Sequence, residues 1–427
     1  MLFSEYLTKK RPYQEYGHHF LLERKHACLG FSPGKGKTYP AVEAMIDVDK
    51  SKNGTAKVLI LSTANAIKNM WLAEIVPQGI LPKHTTLVSI TKAVQNDVQI
   101  ELLRTKWDII CLDECHRVKA HNTKIAKLLY KLTKKCEFVW GLSGTPRGNS
   151  DVDIYCQFHN LNIGDWGKIN YTFFVENICD YNCIRSGGKL VKIPTTISHK
   201  YKAGWERNVA MYYLCMDYEE TDAMPELTTN VITLPFTPSK EYLLAQDGVI
   251  SLPDYETTLT QLTAINKLHQ AANGFLYYED SFGERRTYSI SDKNEKLDWL
   301  ERQDLRNTVI VYRFAADRER IKSRLCQKYT LTELVDDFKA NKADILLLQC
   351  SQCESFNLQS CNKMIFHTLD YSFINYDQMI HRVWRMGQTK PVDIYILIYQ
   401  NSVEEKIWST VENKRTLAQL FMAIKGV

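Results

Sequence analysis

Residues 26–38 read HACLGFSPGKGKT. The apolar run HACLGF has the length and composition of a buried strand, and AVEAMIDV (41–48), a little further on, reads as a helix. Between them lie Pro33, Gly34, Lys35, Gly36, Lys37 and Thr38. A strand, a glycine-rich turn and a helix in that order form a phosphate-binding loop, because glycines let backbone N–H groups turn toward phosphate oxygens at a helix start. In that reading Lys37 reaches the β and γ phosphates of a nucleotide and the Thr38 hydroxyl holds Mg²⁺. The plainer alternative is a Gly/Lys-rich surface turn. The loop departs from the common pattern at its first position, where Phe31 stands in place of glycine.

Working outward, further apolar runs recur: KVLILST (57–63), TLVSI (86–90), WDIICLDE (107–114) and FVWGLSGT (138–145). Amphipathic segments separate them, which predicts a parallel sheet covered on both faces. The alternation loosens from about 160 to 290, then returns in NTVIVYRF (307–314), ADILLLQC (343–350), KMIFHTLD (363–370) and VDIYILIY (392–399). The expected fold is α/β, with two parallel-sheet lobes joined by a mostly helical middle. The expected domains are a first lobe over 1–240 with an insertion at about 160–225, a helical linker over 241–290, and a trimmed second lobe over 291–427.

The run WDIICL ends on Asp113 and Glu114, which places two acids where a parallel sheet binds its ligand. Asp113 is expected to hold Mg²⁺ and Glu114 to polarise the attacking water. Composition agrees with a soluble enzyme: 427 residues, 44% hydrophobic, 24% charged and net charge +5. That mild excess permits a phosphate-backbone partner without requiring one. No apolar run is long enough to cross a bilayer and no signal peptide is visible, so a cytoplasmic protein is expected, with its twelve cysteines as reduced thiols. Cys350, Cys353 and Cys361 have a spacing that touches zinc chemistry but lack a fourth ligand.

Several segments, taken in order, resemble a known family. DECH (113–116) is similar to the DExH box of helicase superfamily two. RPYQ (11–14), NMWLAEI (69–75), DECHRVKAHNTK (113–124), LSGTPRGN (142–149), DYSFINYDQMIHRVWRMGQTKPV (370–392) and NSVEEKI (401–407) resemble successive motifs of Swi/Snf-type DNA translocases. The resemblance implies two RecA-like lobes with an ATP cleft between them. Arg11 and Gln14 would then lie at the adenine, and Gln378 would join the nucleotide site. Arg382 and Arg385, spaced one helical turn apart, would act as arginine fingers. Ser143, Gly144 and Thr145 would couple nucleotide state to the DNA-binding face. Lys119, Lys124, Arg147 and the Trp384 region are positions for a tracked strand.

The sequence also departs from that family. SQCESFNL (351–358) replaces a glycine-rich turn, keeping Asn357 and Leu358. The interval before it is short, which suits a compact, phage-type motor. The reading is an ATP hydrolase using ATP and Mg²⁺ that tracks along double-stranded DNA, with single-stranded DNA a possible partner and RNA less favoured. The alternatives are a strand-separating DNA or RNA helicase, for which no wedge is evident, and a nucleic-acid clamp with a weakened motor.

Overall fold

A computed structural model describes residues 2–118, 120–144, 151–186, 189–216, 224–252, 255–259, 261–291, 293–352, 356–385 and 387–413. The chain forms two compact units, Met1–Asp222 and Ala223–Val427.

The first unit is built on six strands: β1 (His26–Phe31), β2 (Lys57–Ser62), β3 (His84–Ser89), β4 (Ile109–Asp113), β5 (Phe138–Ser143) and β6 (Tyr213–Met216). They pair in the order β3-β2-β4-β5-β1-β6, every pair parallel. Strand β4 is buried along its whole length, and β1, β2 and β5 are buried at five of six positions. Apolar residues on both faces explain this: one face packs in a core with Leu59, Ile110 and Val139, the other in a core with Ile60, Ile109 and Trp140. Side chains alternate across a strand, so neighbours in sequence serve opposite cores.

The second unit also has six parallel strands. These are β7 (Leu227–Leu234), β8 (Thr308–Tyr312), β9 (Leu331–Thr332), β10 (Ile345–Gln349), β11 (Lys363–Phe366) and β12 (Val392–Tyr399), in the order β9-β10-β8-β11-β12-β7. Here the structure differs from the sequence expectation. The division falls after Asp222 and not at 240, because β7 pairs with β12 over eight residues, from Val392–Leu227 to Tyr399–Leu234. This strand also restores a six-stranded sheet to the lobe that the short interval before residue 350 had made look trimmed.

The middle is not a helical linker. It holds the helices Lys240–Gln246 and Gln261–Ala272 together with two antiparallel hairpins, Val249–Leu252 with Tyr255–Thr258 and Phe275–Glu279 with Arg285–Ser289. Tyr242, Ile250, Leu268 and Leu276 from this region are buried in the same core as the second sheet. The first unit carries a third hairpin, Cys179–Ser186 with Lys189–Ile197, within the expected insertion. No helix among the described residues is long and apolar enough to cross a membrane.

Candidate functional site

Strand β1 ends at Phe31 and the helix Thr38–Ser51 begins seven residues later, so the predicted loop sits at the C-terminal edge of the sheet. Gly34 and Gly36 have φ of 87° and 73°, a backbone region open to glycine and costly for other residues. The helix has no side-chain cap at Lys37, and its first N–H groups lack intrahelical partners, which suits an anion.

The loop is braced from below by the helix Pro12–Arg24. Gln14 is buried. Its Nε2 donates to the carbonyl of Lys35 at 3.0 Å, and its Oε1 accepts from the Arg11 N–H at 2.9 Å. The Tyr13 hydroxyl donates to the same Lys35 carbonyl at 3.1 Å. Lys35 is itself buried, with its ammonium 5.0 Å from the Tyr13 ring centroid. Phe31, the unexpected first residue of the loop motif, is fully buried and meets Tyr13 edge-on at 5.4 Å. Gly17 makes the room: a Cβ there would lie 2.9 Å from the Phe31 ring. The missing glycine is thus replaced by a packed aromatic anchor.

Strand β4 delivers Asp113, of which 2% is exposed. Its Oδ2 accepts from Ser62 Oγ and from Trp71 Nε1, both at 3.2 Å, and its Oδ1 accepts from the Glu114 N–H at 3.1 Å. Burial, then the Glu114 charge, push the Asp113 carboxyl up to about 6, while Lys37, Trp71 and Ser62 pull it down. Glu114 follows at φ 54°, a strained turn for a non-glycine residue that separates its side chain from that of Asp113. Glu114 Oε1 stands 3.8 Å from Lys37 Nζ, so the phosphate loop and the acids meet. Glu114 Oε2 lies 3.3 Å from His116 Nδ1, and that nitrogen lies 3.0 Å from Ser143 Oγ at the end of β5. The His116 imidazole therefore lies between the candidate general base and the residue expected to couple. Gly144 packs on the loop from the same side, since a Cβ there would meet the Pro33 ring at 3.1 Å. Thr145 lies outside the described residues, as do Lys119 and Arg147.

These residues fit a magnesium nucleotide. A loop open to anions faces a buried carboxylate, a lysine lies between them, and the half-buried Thr38 begins the helix. Trp71, Ser62, His116 and Tyr13 were given no role by the sequence. Their place depends on pairing: β2 lies beside β4, which brings Ser62 to Asp113, and Thr63 caps the turn that follows by accepting from Ala66 N–H at 3.2 Å. The next segment, Ile67–Ile75, is wound as a π-helix and carries Trp71 to the carboxylate.

In the second unit, Gln378 and Arg382 lie on the helix Phe373–Val383. The helix stops one residue before Trp384, whose ψ is 98°, so Arg385 lies beyond it and the helical-turn spacing does not relate the two arginines. Gln378 is buried, and Arg382 lies 6.0 Å from the Phe356 ring. The Trp384 indole N–H donates to the carbonyl of Pro225 at 2.7 Å, which gives it a structural tie. The glycine-poor segment is fastened here: the N–H of buried Leu358 donates to the Arg382 carbonyl at 2.9 Å, and Gln388 Nε2 donates to the Cys361 carbonyl at 2.8 Å. Cys350 and Cys361 point their thiols at backbone carbonyls, and Cys353 lies outside the described residues.

Residues 78–192, which include DECH and LSGTP, match the SNF2-related domain. The chain is 22% identical to a Bacillus subtilis protein named as an ATP-dependent helicase/translocase, over 95% of this chain and 48% of that one. It is also 22% identical to protein p41 of Acyrthosiphon pisum secondary endosymbiont phage 1, over 96% of this chain and 97% of the phage protein. The chain thus spans about half the length of the Bacillus relative and nearly all of the phage relative. Among solved structures, the Sulfolobus solfataricus SWI2/SNF2 ATPase core in complex with dsDNA aligns over 98% of this chain and 93% of that one, with 18% identity and a TM-score of 0.42.

Proposed function

We propose that this protein is an ATP hydrolase, stimulated by DNA, that moves along the double helix without needing to separate its strands. The observation that carries the proposal is the meeting of Lys37 with Glu114 at 3.8 Å, at the edge where Asp113 is buried. A phosphate-loop lysine beside two strand-end acids is the arrangement that nucleoside triphosphate hydrolysis requires.

This reading assigns each residue a role. The loop backbone and Lys37 bind the β and γ phosphates. Thr38 and Asp113 would hold Mg²⁺, which when bound would supply positive charge to the transferred phosphoryl group. Glu114 accepts the proton of the attacking water, with His116 orienting its carboxylate. Ser143, on the other side of that imidazole, senses the change in charge. Gln14 contacts adenine only by exchanging a bond it makes to the loop backbone. The motif resemblance, rather than any distance, gives Arg382 and Arg385 as arginine fingers, a role worth about 10³–10⁵ in rate in related nucleotidases. Contacts to DNA are expected to be mostly to phosphates, hence dependent on salt and weakly selective for sequence.

A triplex-displacement assay tests movement directly. The protein should remove a third strand from blunt duplex in the presence of ATP, and Glu114→Gln should not. Unwinding of forked duplex with no triplex displacement would replace this reading with a strand-separating helicase.

A further inference from the structure

The helix Lys124–Thr133 carries a charged face that the nucleotide site does not use. Its N-cap Thr123 accepts from the Ala126 N–H at 3.3 Å, and Ala126, Leu128, Leu129 and Leu132 are buried in a core of the first unit. That fixes which side meets solvent. Lys127 and Lys131 on the helix, with Lys134 and Lys135 in the turn that closes it, are all exposed. At 3.6 residues per turn these four fall within one arc of about 100°, in a row about 12 Å long.

The row is uncompensated. Residues 115–136 hold Arg117, Lys119, Lys124 and these four lysines, and no Asp or Glu. Those seven charges exceed the net charge of the whole chain, +5, so the rest of the chain is net negative. Among the described residues none of the four lysines forms an ion pair. The next acid along the chain, Glu137, is already held by Lys25 at 3.0 Å and by Lys52 at 3.1 Å. Lys127, Lys131 and Lys135 stand at successive i,i+4 positions, where like charges oppose a helix and a Glu–Lys pair would support it. The helix dipole favours a cation in the last turn but gives no reason for the whole row.

A face that works against its own helix is suited to meeting a dense array of anions. Duplex DNA carries one phosphate charge per about 1.7 Å of axis, so a stretch as long as the row presents about seven. Lysines on flexible stems meet phosphates as point charges and read no sequence, which fits a motor that must bind every step alike.

We propose that Lys127, Lys131, Lys134 and Lys135 form a duplex-binding face that extends contact with the DNA phosphates beyond the motif residues, which end at Lys124. The inference rests on the DNA reading above and gives that reading a contact surface.

The test is binding of fluorescent blunt duplex by the full-length protein across a salt series. The wild type is compared with Lys127→Gln/Lys131→Gln/Lys134→Gln/Lys135→Gln, which keeps good helix formers in place. A control, Lys50→Gln/Lys328→Gln/Lys339→Gln/Lys342→Gln, removes as many exposed lysines elsewhere and so makes the same change in net charge. Thermal melting followed by circular dichroism, expected to keep the wild-type profile in both variants, reports folding. The helix variant should bind at least about tenfold more weakly, with a slope of log affinity against log salt shallower by about 3 to 4. Lys127→Gln/Lys131→Gln alone should shift the slope by about 2. Wild-type affinity and slope in the helix variant would overturn the face as a DNA contact and leave it to an acidic protein surface. An equal change in the control would overturn it too, by reducing the effect to net charge. Failure of the wild type to bind duplex at any salt would overturn the DNA reading together with it.

Discussion

At the scale of single residues, burial pushes both Asp113 and Asp317 up to about 6, and the two carboxylates differ in the partners around them. Trp71 supports one that is meant to be charged. Its indole N–H and the Ser62 hydroxyl both reach Asp113 Oδ2, and all three side chains are buried. Trp71→Phe keeps the ring and removes the donor. Loss of such an outer hydrogen bond costs about 10–100-fold in metal affinity, so the Mg²⁺ concentration for half-maximal hydrolysis should rise by that factor while ATP affinity at saturating Mg²⁺ holds. Asp317 is a carboxylate whose charge the fold resists. Burial pushes it up to about 6, against a bond from Thr368 and the Lys296 charge. An unfolded aspartate titrates near 3.9, so the folded protein holds the proton more tightly. Its contribution to stability is full below about pH 4 and is lost as pH rises toward 6. Asp317→Asn should flatten the pH dependence of chemical denaturation in that window and raise stability at pH 7.5 by on the order of 2 kcal/mol. A variant with the wild-type pH profile would contradict this.

At the scale of elements, the second sheet is tied together by a buried ionic cluster. Lys296 Nζ donates to Glu404 Oε1 at 2.6 Å, to Asn273 Oδ1 at 3.1 Å and to the His367 carbonyl at 2.8 Å. Burial pushes the Glu404 carboxyl up, but Lys296 and then His269 outweigh it and hold it well below the usual range. The cluster joins the helices Glu295–Glu301, Gln261–Ala272 and Val403–Glu412 to the end of β11. Lys296→Met leaves Glu404 buried and unpaired, which should cost about 3–5 kcal/mol in denaturant unfolding, and Lys296→Met/Glu404→Leu should recover most of it. None of this was legible in NSVEEKI as a motif, because the partners lie 108 and 131 residues away in sequence. Motif-bearing strand ends were legible for the opposite reason. A strand, its turn and the next helix are contiguous, so HACLGFSPGKGKT and WDIICLDE carry their own geometry. The strand Leu227–Leu234 lies where the alternation loosens, and its sheet was not legible there, since its partner β12 is far along the chain. The arginine spacing misled at its second member because the helix ends at Val383, before Arg385.

At the scale of the molecule, each unit has its own parallel sheet and its own cores: Met1–Asp222 holds two and Ala223–Val427 a large one. Residues 1–222, made alone, should therefore unfold cooperatively and bind a magnesium nucleotide, and under the role proposed for Arg382 and Arg385 should hydrolyse it about 10³-fold more slowly than the full chain. Calorimetry and a hydrolysis assay on that fragment check both parts. If duplex DNA drives ATP hydrolysis, as proposed, steady-state hydrolysis by the full-length protein will differ with and without blunt duplex. Strong stimulation by the duplex is expected, abolished in both Lys37→Ala and Glu114→Gln. A rate that no duplex changes, or one that survives the loss of Glu114, would contradict it.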